Sequence, residues 1–326
     1  PQLSADEVYN NLITELESVI KSNVLPMRWD DVNCGRMSQA MCYMMYAEMV
    51  MYQKDTSRYA TALQYMQEII NDKNEYGIMD DFASIWKNSG EWCKESIWEV
   101  NYEIGFSERS WDNPLGIGGT VLPTLISPNS WPGGDGWDAG ANGWGFMPVR
   151  TETYNMFASN DKRRDATVWD CRGVEYTKRY QDTGFWLGKY RPYTENNATS
   201  GDKDLNYNNN LRVYRVAEAY LNAAELLLET GGDATKAKDY VNVIRRRAGI
   251  AELGAVTVDD VINERHLEFV GEGKRYFDLV RTGKAASVLV PDEYGYRTNS
   301  WTESKKYIPI AQAELDSDPA LVQNNY

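Results

Sequence analysis

The stretch Leu211-Arg-Val-Tyr-Arg-Val-Ala-Glu-Ala-Tyr-Leu-Asn-Ala-Ala-Glu225 decides the fold. Leu211, Tyr214, Ala217, Leu221 and Ala224, continued by Leu228, recur every three or four residues, the spacing of one face of an α-helix. Gly231 and Gly232 end that helix, since glycine enters the left-handed conformation of a helix C-terminus without a steric penalty. Residues 234–248 then read as its antiparallel partner, with Ala237, Tyr240, Val241 and Ile244 turned inward. Small residues on the facing sides let the two helix axes come close.

The same organisation lies upstream. Ser4-Ala-Asp-Glu7 is a capping box, and Leu12, Leu16, Val19 and Ile20 follow at helical spacing up to Pro26. Residues 35–52 form a second predicted helix, apolar nearly all round, which expects burial. Its Met37, Met41, Met44 and Met51 read as core filler; a soft-metal site would need histidines or cysteines beside them. A third helix is predicted over 59–74, with Leu63, Met66 and Ile70 on one stripe. Tyr46-Ala-Glu48 followed by Ala62 parallels Ala223-Ala-Glu225 followed by Ala237, and the two hairpins resemble tetratricopeptide units. The expectation is a mainly α fold, one domain over 1–326, with tetratricopeptide-like helical hairpins and a long loop-rich insertion. Residues 1–103 form the first helical-repeat part, 104–210 the insertion, and 211–326 the second helical-repeat part.

Helical periodicity disappears from 104 to 146, where ten of the 25 glycines and four of the eleven tryptophans collect, so the segment is loop but too aromatic to be disordered. Its centre runs Trp131-Pro-Gly-Gly-Asp135-Gly-Trp137-Asp138-Ala-Gly-Ala-Asn142-Gly-Trp144-Gly-Phe146. A sugar ring has an apolar C–H face and a rim of hydroxyls. An indole stacks on the first, Asp and Asn bond the second, and glycines let backbone approach closely. Trp131, Asp135, Trp137, Asp138, Asn142 and Trp144 are therefore the candidate glycan-binding residues. Trp111, Asp112, Asn113, Trp186 and Tyr193 are secondary candidates on similar loops. The bland alternative is that these tryptophans bury themselves and staple the loop to the helices. Asp135 and Asp138 could also belong to a calcium loop or a glycosidase carboxylate pair, but neither the spacing nor any visible geometry singles them out.

Net charge is −14, which repels phosphate backbones and argues against nucleic acid. A neutral ligand fits better. The chain has one histidine, His266, so triads and multi-histidine metal sites have almost nothing to draw on. Its i−4 and i+4 neighbours, Ile262 and Val270, place it on an apolar stripe, as a core histidine with its hydrogen bonds satisfied. Around it Glu264, Arg265, Glu268, Glu272, Lys274, Arg275, Asp278 and Arg281 read as a structural ion-pair network. Cys34, Cys42, Cys93 and Cys171 include no CxxC pair and are read as free thiols, a Cys93–Cys171 bridge being the one alternative. No metal and no cofactor is expected.

Three blocks carry a family resemblance. They are residues 211–225 with Val243-Ile-Arg-Arg-Arg-Ala-Gly249; Asn263-Glu-Arg-His-Leu-Glu-Phe-Val-Gly-Glu-Gly-Lys-Arg-Tyr-Phe-Asp-Leu-Val-Arg281; and Tyr307-Ile-Pro-Ile-Ala-Gln-Ala-Glu-Leu-Asp316 with Asn324. Together they resemble the SusD/RagB-like family of outer-membrane nutrient-binding lipoproteins. The resemblance implies a non-catalytic, lipid-anchored cell-surface protein that binds oligosaccharide or polysaccharide and delivers it to a SusC-like TonB-dependent transporter. Contact with the membrane would be only through an N-terminal anchor segment that this chain lacks. It further implies that the chain is a fragment without the family's N-terminal stretch, which supplies part of the fold and of the site. A peptide-binding lid of the same transporter type, and a helical-repeat interaction scaffold, are the alternatives. The matched motifs are scaffold motifs and carry no binding residue across.

Overall fold

A computed structural model describes residues 2–104, 109–113, 118–133, 143–198, 202–292, 295 and 297–324. Three helices open the chain: α1 (Ala5–Ser22), α2 (Gln39–Gln53) and α3 (Tyr59–Asn71). The capping box forms as the sequence expects, with the Glu7 amide donating to Ser4 Oγ and the Ser4 amide donating to Glu7 Oε2 at 2.8 Å. α2 is buried on most of its circumference, Met41, Met44 and Met51 included. Met37 falls outside the helix and is exposed.

The second hairpin is α7 (Val216–Glu229) and α8 (Ala234–Ala248), followed by α9 (Val258–Glu268). Asp233 caps α8, and Gly249 closes it at φ +74°. α7 packs against α3 on one side and α8 on the other, while α2 bridges α1 and α3. The crossings are lined by Ala40, Ala47, Ala62, Ala217, Ala224 and Ala237, all fully buried. A single apolar core runs through both hairpins. The mainly α architecture with its repeat-like hairpins is thus as expected.

One boundary differs. Leu211–Arg215 is not helix but a strand, β4, paired antiparallel with β1 (Ser96–Val100) through Glu99↔Arg212 and Val100↔Leu211. Its buried residues are Arg212, Tyr214 and Arg215, while Leu211 and Val213 are only half-buried. The strand therefore hides a charged face, and its apolar residues extend the stripe of α7 in sequence alone.

The insertion holds α4 (Leu122–Ile126), α5 (Thr151–Met156), α6 (Arg163–Thr167) and a two-stranded sheet of β2 (Val168–Asp170) with β3 (Phe185–Leu187). It has its own core of Phe82, Trp86, Ile126, Phe157, Phe185 and Tyr190. The C-terminal part adds α10 (Arg275–Arg281), α11 (Ala285–Val288) and α12 (Gln312–Ser317).

Between the two cores lies a buried ion network. Arg163 bonds Asp161 at 2.7 Å and Glu264 at 2.6 Å; Arg215 bonds Glu95 at 2.6 Å and Glu268 at 2.9 Å; Arg247 bonds Glu268 at 2.5 Å. Lys189 bonds Glu272 at 2.6 Å. Burial alone would push the Glu268 carboxyl up, but Arg247, Arg215, Arg163 and Lys189 outweigh it and hold it well below the carboxylate range. Burial pulls the Lys189 ammonium down to about 8. A second cluster joins Arg265 to Asp278 at 2.9 Å and to Glu218 at 3.1 Å, Lys274 to Glu218 at 3.0 Å, and Arg281 to Glu225. The expected network is therefore real but interior, and Arg275 alone of its expected members makes no ion pair among the described residues.

Candidate functional site

Two short segments of the insertion build an exposed aromatic surface. The first is the turn at residues 110–113. Ser110 and Asn113 exchange backbone hydrogen bonds of 3.2 and 3.0 Å, and the Trp111 amide donates to Asp202 Oδ2 at 2.8 Å. Asn206 clamps the base of this turn: it accepts from the Arg109 amide at 2.9 Å and donates to the Arg109 carbonyl at 2.8 Å. Gly119, at φ +61°, is required there because a Cβ would stand 2.6 Å from the Asn206 Cα.

The second segment is Gly143-Trp-Gly-Phe146. The Trp144, Gly145 and Phe146 amides donate to the Thr124, Ser127 and Leu125 carbonyls at 2.8 to 2.9 Å, tying the segment to α4 and the residue after it. A Cβ at Gly143 would meet the Ser127 carbonyl oxygen at 2.1 Å. The glycines thus allow the close approach, and the alternation turns Trp144 and Phe146 away from it.

Together these segments form a ladder. The Trp111 and Trp144 ring centroids are 5.7 Å apart with planes 36° apart, and Trp144 and Phe146 are 6.1 Å apart, edge to face. Trp111 is 62% exposed and Phe146 60% exposed, high values for rings that soluble proteins usually cover. Asp112 and Asn113 are exposed on the Trp111 turn and can offer polar atoms beside the indole. The Arg179 guanidinium stands 6.0 Å from the Phe146 ring centroid, and Tyr180 beside it is 86% exposed.

The other candidates fall elsewhere. Trp131 packs edge to face on Trp169, with centroids 4.9 Å apart, in an inner cluster with Trp186 and Cys171. The structure corrects the expectation for Trp186: it is fully buried, because β3 turns it into the interior under Tyr176 and Trp131, and it has no free face to stack. Tyr193 is half-buried by Arg191, whose guanidinium lies 5.2 Å from the Trp169 ring centroid. Asp135, Trp137, Asp138 and Asn142 lie outside the described residues. Phe146 closes the Trp/Gly stretch but is not among the residues that the sequence nominates, and Arg179 and Tyr180 belong to no motif. The Gly-Trp-Gly-Phe alternation was the one signal that could have promoted Phe146.

The four cysteines are free, and burial raises the Cys171 thiol to about 12, which leaves it inert. Among the described residues no cluster of His, Cys, Asp and Glu could hold a metal ion, and no helix is long and apolar enough to cross a membrane. His266 departs from expectation: its Nδ1 is buried yet has no hydrogen-bond partner among the described residues. Burial, aided by the Arg275 charge, pulls its pKa down to about 4. A cavity of about 670 Å³ between α1, α2 and α10 is lined by none of the candidate site residues.

Comparison with known proteins places this geometry in context. The SusD family profile matches residues 174–326. The solved surface glycan-binding protein A from Bacteroides uniformis is 60% identical, with TM-score 0.91, across all of this chain and 70% of its own. Surface glycan-binding protein A from Bacteroides thetaiotaomicron, solved in complex with laminarihexaose, is 55% identical, with TM-score 0.94, across all of this chain and 72% of its own. Among curated sequences, the SusD-like protein P25 of Formosa agariphila is 23% identical over 98% of this chain. The chain spans 64% of the length of that relative.

Proposed function

The chain belongs to the SusD family, and on that premise we propose that its Trp111–Trp144–Phe146 ladder captures neutral glycans of the laminarin type at the cell surface, without catalysis, for delivery to a SusC-like TonB-dependent transporter in the outer membrane. The observation that carries the reading is a row of rings, exposed at Trp111 and Phe146 and half-buried at Trp144, held by rigid backbone bonds. Three rings at spacings of 5.7 and 6.1 Å offer successive apolar faces to successive sugars of one chain. Polar groups at the edges, Asp112, Asn113 and Arg179, can bond the hydroxyl rim. The neighbour solved with a neutral hexasaccharide supports a neutral ligand, and so does the charge of −14. Trp131 joins the reading as a support through its packing on Trp169, and Asp135, Trp137, Asp138 and Asn142 remain proposed as glycan-binding residues.

Isothermal titration of this chain with laminarihexaose, set beside maltohexaose and a peptide pool, tests the proposal. Binding of laminarihexaose in preference to the other two is expected. Preference for peptides, or no saccharide binding at all, refutes it. Release of reducing ends from laminarin on long incubation would overturn the non-catalytic part.

A further inference from the structure

A cavity of about 460 Å³ lies between residues 146–153 and the turn joining α9 to α10. Its apolar walls come from Val149, Leu187, Phe269 and Val270. Its charged lining is unusual for this molecule. The chain carries 48 acidic against 34 basic residues, yet Arg150, Lys274, Arg275 and His266 line this cavity and no Asp or Glu does. Arg150 and Lys274 are engaged, with Asp292 at 2.9 Å and Glu218 at 3.0 Å. Arg275 Nη1 and His266 Nδ1 are not: both are buried without a hydrogen-bond partner among the described residues. Arg275 as a whole is half-buried and lines the cavity with that nitrogen unmet, so an anion bound beside it would supply a missing partner.

We propose that this cavity, which Phe146 of the ladder borders on one side, is a binding site for a carboxylate carried on an apolar body, with Arg275 as the anion-recognising residue. The volume has room for an aromatic or branched aliphatic group together with the chain that carries the carboxylate. Arg275 offers a charge-assisted hydrogen bond to a carboxylate oxygen. Val149, Leu187 and Phe269 cover the apolar body. Free small acids and the C-terminus of a polypeptide present the same chemistry.

The single histidine makes the site readable, since the chain gives one imidazole signal in the spectrum. Burial is the largest cause of the low His266 pKa; of the charged groups, Arg275 lowers it further and Asp278 raises it. Arg150, Lys274 and Tyr276 share the cavity wall with it. A bound carboxylate offsets the Arg275 charge and places a negative charge near the imidazole, which moves the midpoint upward from about 4 while burial, the larger cause, keeps it below the ordinary value.

The experiment titrates the native chain with N-acetylphenylalanine and with its neutral amide, following the His266 Hε1 signal by NMR from pH 3 to 8, and repeats it with Arg275→Gln. The acid should bind and raise the midpoint, the amide should bind roughly ten- to hundredfold more weakly, and R275Q should lose that preference. R275Q breaks no ion pair among the described residues, and the acid–amide comparison on the native chain stands without it. A hexapeptide ending in phenylalanine, free or amidated at its C-terminus, separates the two sources. Binding of the free-ended peptide as well as the acid supports the proposal with a chain terminus as ligand; binding of the acid alone supports it with a small molecule. Equal binding of acid and amide, no binding of either, or an unmoved His266 midpoint at saturation overturns it.

Discussion

Replacing Trp111 by alanine asks the ladder to show its energetic worth. The residue suits the test because its backbone is held independently of its ring, by the Asp202 carboxylate at 2.8 Å and the Ser110–Asn113 turn. Truncation therefore removes a face without releasing the loop. The indole is 62% exposed. For a side chain of roughly 250 Å², that leaves about 150 Å² facing water. A sugar stacked on one face covers about half of it, roughly 75 Å². At about 25 cal/mol per Å², the loss is about 2 kcal/mol, a roughly 25-fold rise in Kd. Isothermal titration with laminarihexaose measures it, and far-ultraviolet circular dichroism checks that the variant is folded. A folded W111A protein with native affinity refutes the reasoning, since no route would remain by which the most exposed ring of the ladder touches the ligand.

Trp144→Ala should weaken the same binding by a smaller factor, because its ring is already half-buried, whereas Trp131→Phe, in the inner cluster with Trp169 and Trp186, should leave Kd within about twofold; titration calorimetry on each variant decides. Glu268→Gln strips the carboxylate that Arg163, Arg215 and Arg247 share, and should cost about 3–5 kcal/mol in urea unfolding, because each keeps another carboxylate partner but the cluster as a whole loses one buried negative charge. Stability should fall as pH drops below neutrality. His266 is held at about 4 in the folded chain against 6.5 when unfolded, so the unfolded state binds more protons, and about 3 kcal/mol present above pH 6.5 is lost on the way to pH 4. Glu268, Glu272 and Asp278, all held below their ordinary values, extend the loss further down. Urea midpoints at pH 7, 5.5 and 4.5 read this, and His266→Gln should flatten the upper step. A midpoint constant from pH 7 to 4.5 contradicts it.

The helical scaffold was legible because helix burial repeats with a period that one stretch of sequence displays in full. Ala217, Leu221 and Ala224 on α7 face Ala237, Val241 and Ile244 on α8, and either set alone identifies its face. β4 was missed for the converse reason. Its buried residues are Arg212, Tyr214 and Arg215, whose partners Glu99, Glu48, Glu95 and Glu268 lie 53 to 166 residues away, and no local pattern reveals that a charge is paired. The ion network has the same character. Its members could be read as charged neighbours on α9 and α10, but their burial follows from Arg163 and Lys189 arriving from the insertion. The aromatic loop divides along a similar line. Trp111 and Trp144 are 33 positions apart, and nothing between them says that Asp202 and α4 bring their rings within 5.7 Å. Trp186 and Trp144 are equally aromatic in sequence, and one is fully buried and the other only half-buried because β3 pairs with β2 while the close approach at Gly143 and Gly145 ties Trp144 against α4. Composition can therefore announce that a loop is rich in stacking faces. Which faces meet water is fixed by backbone bonds made to distant residues, and the exposed ladder, more than the count of tryptophans, is what the titrations above put to the test.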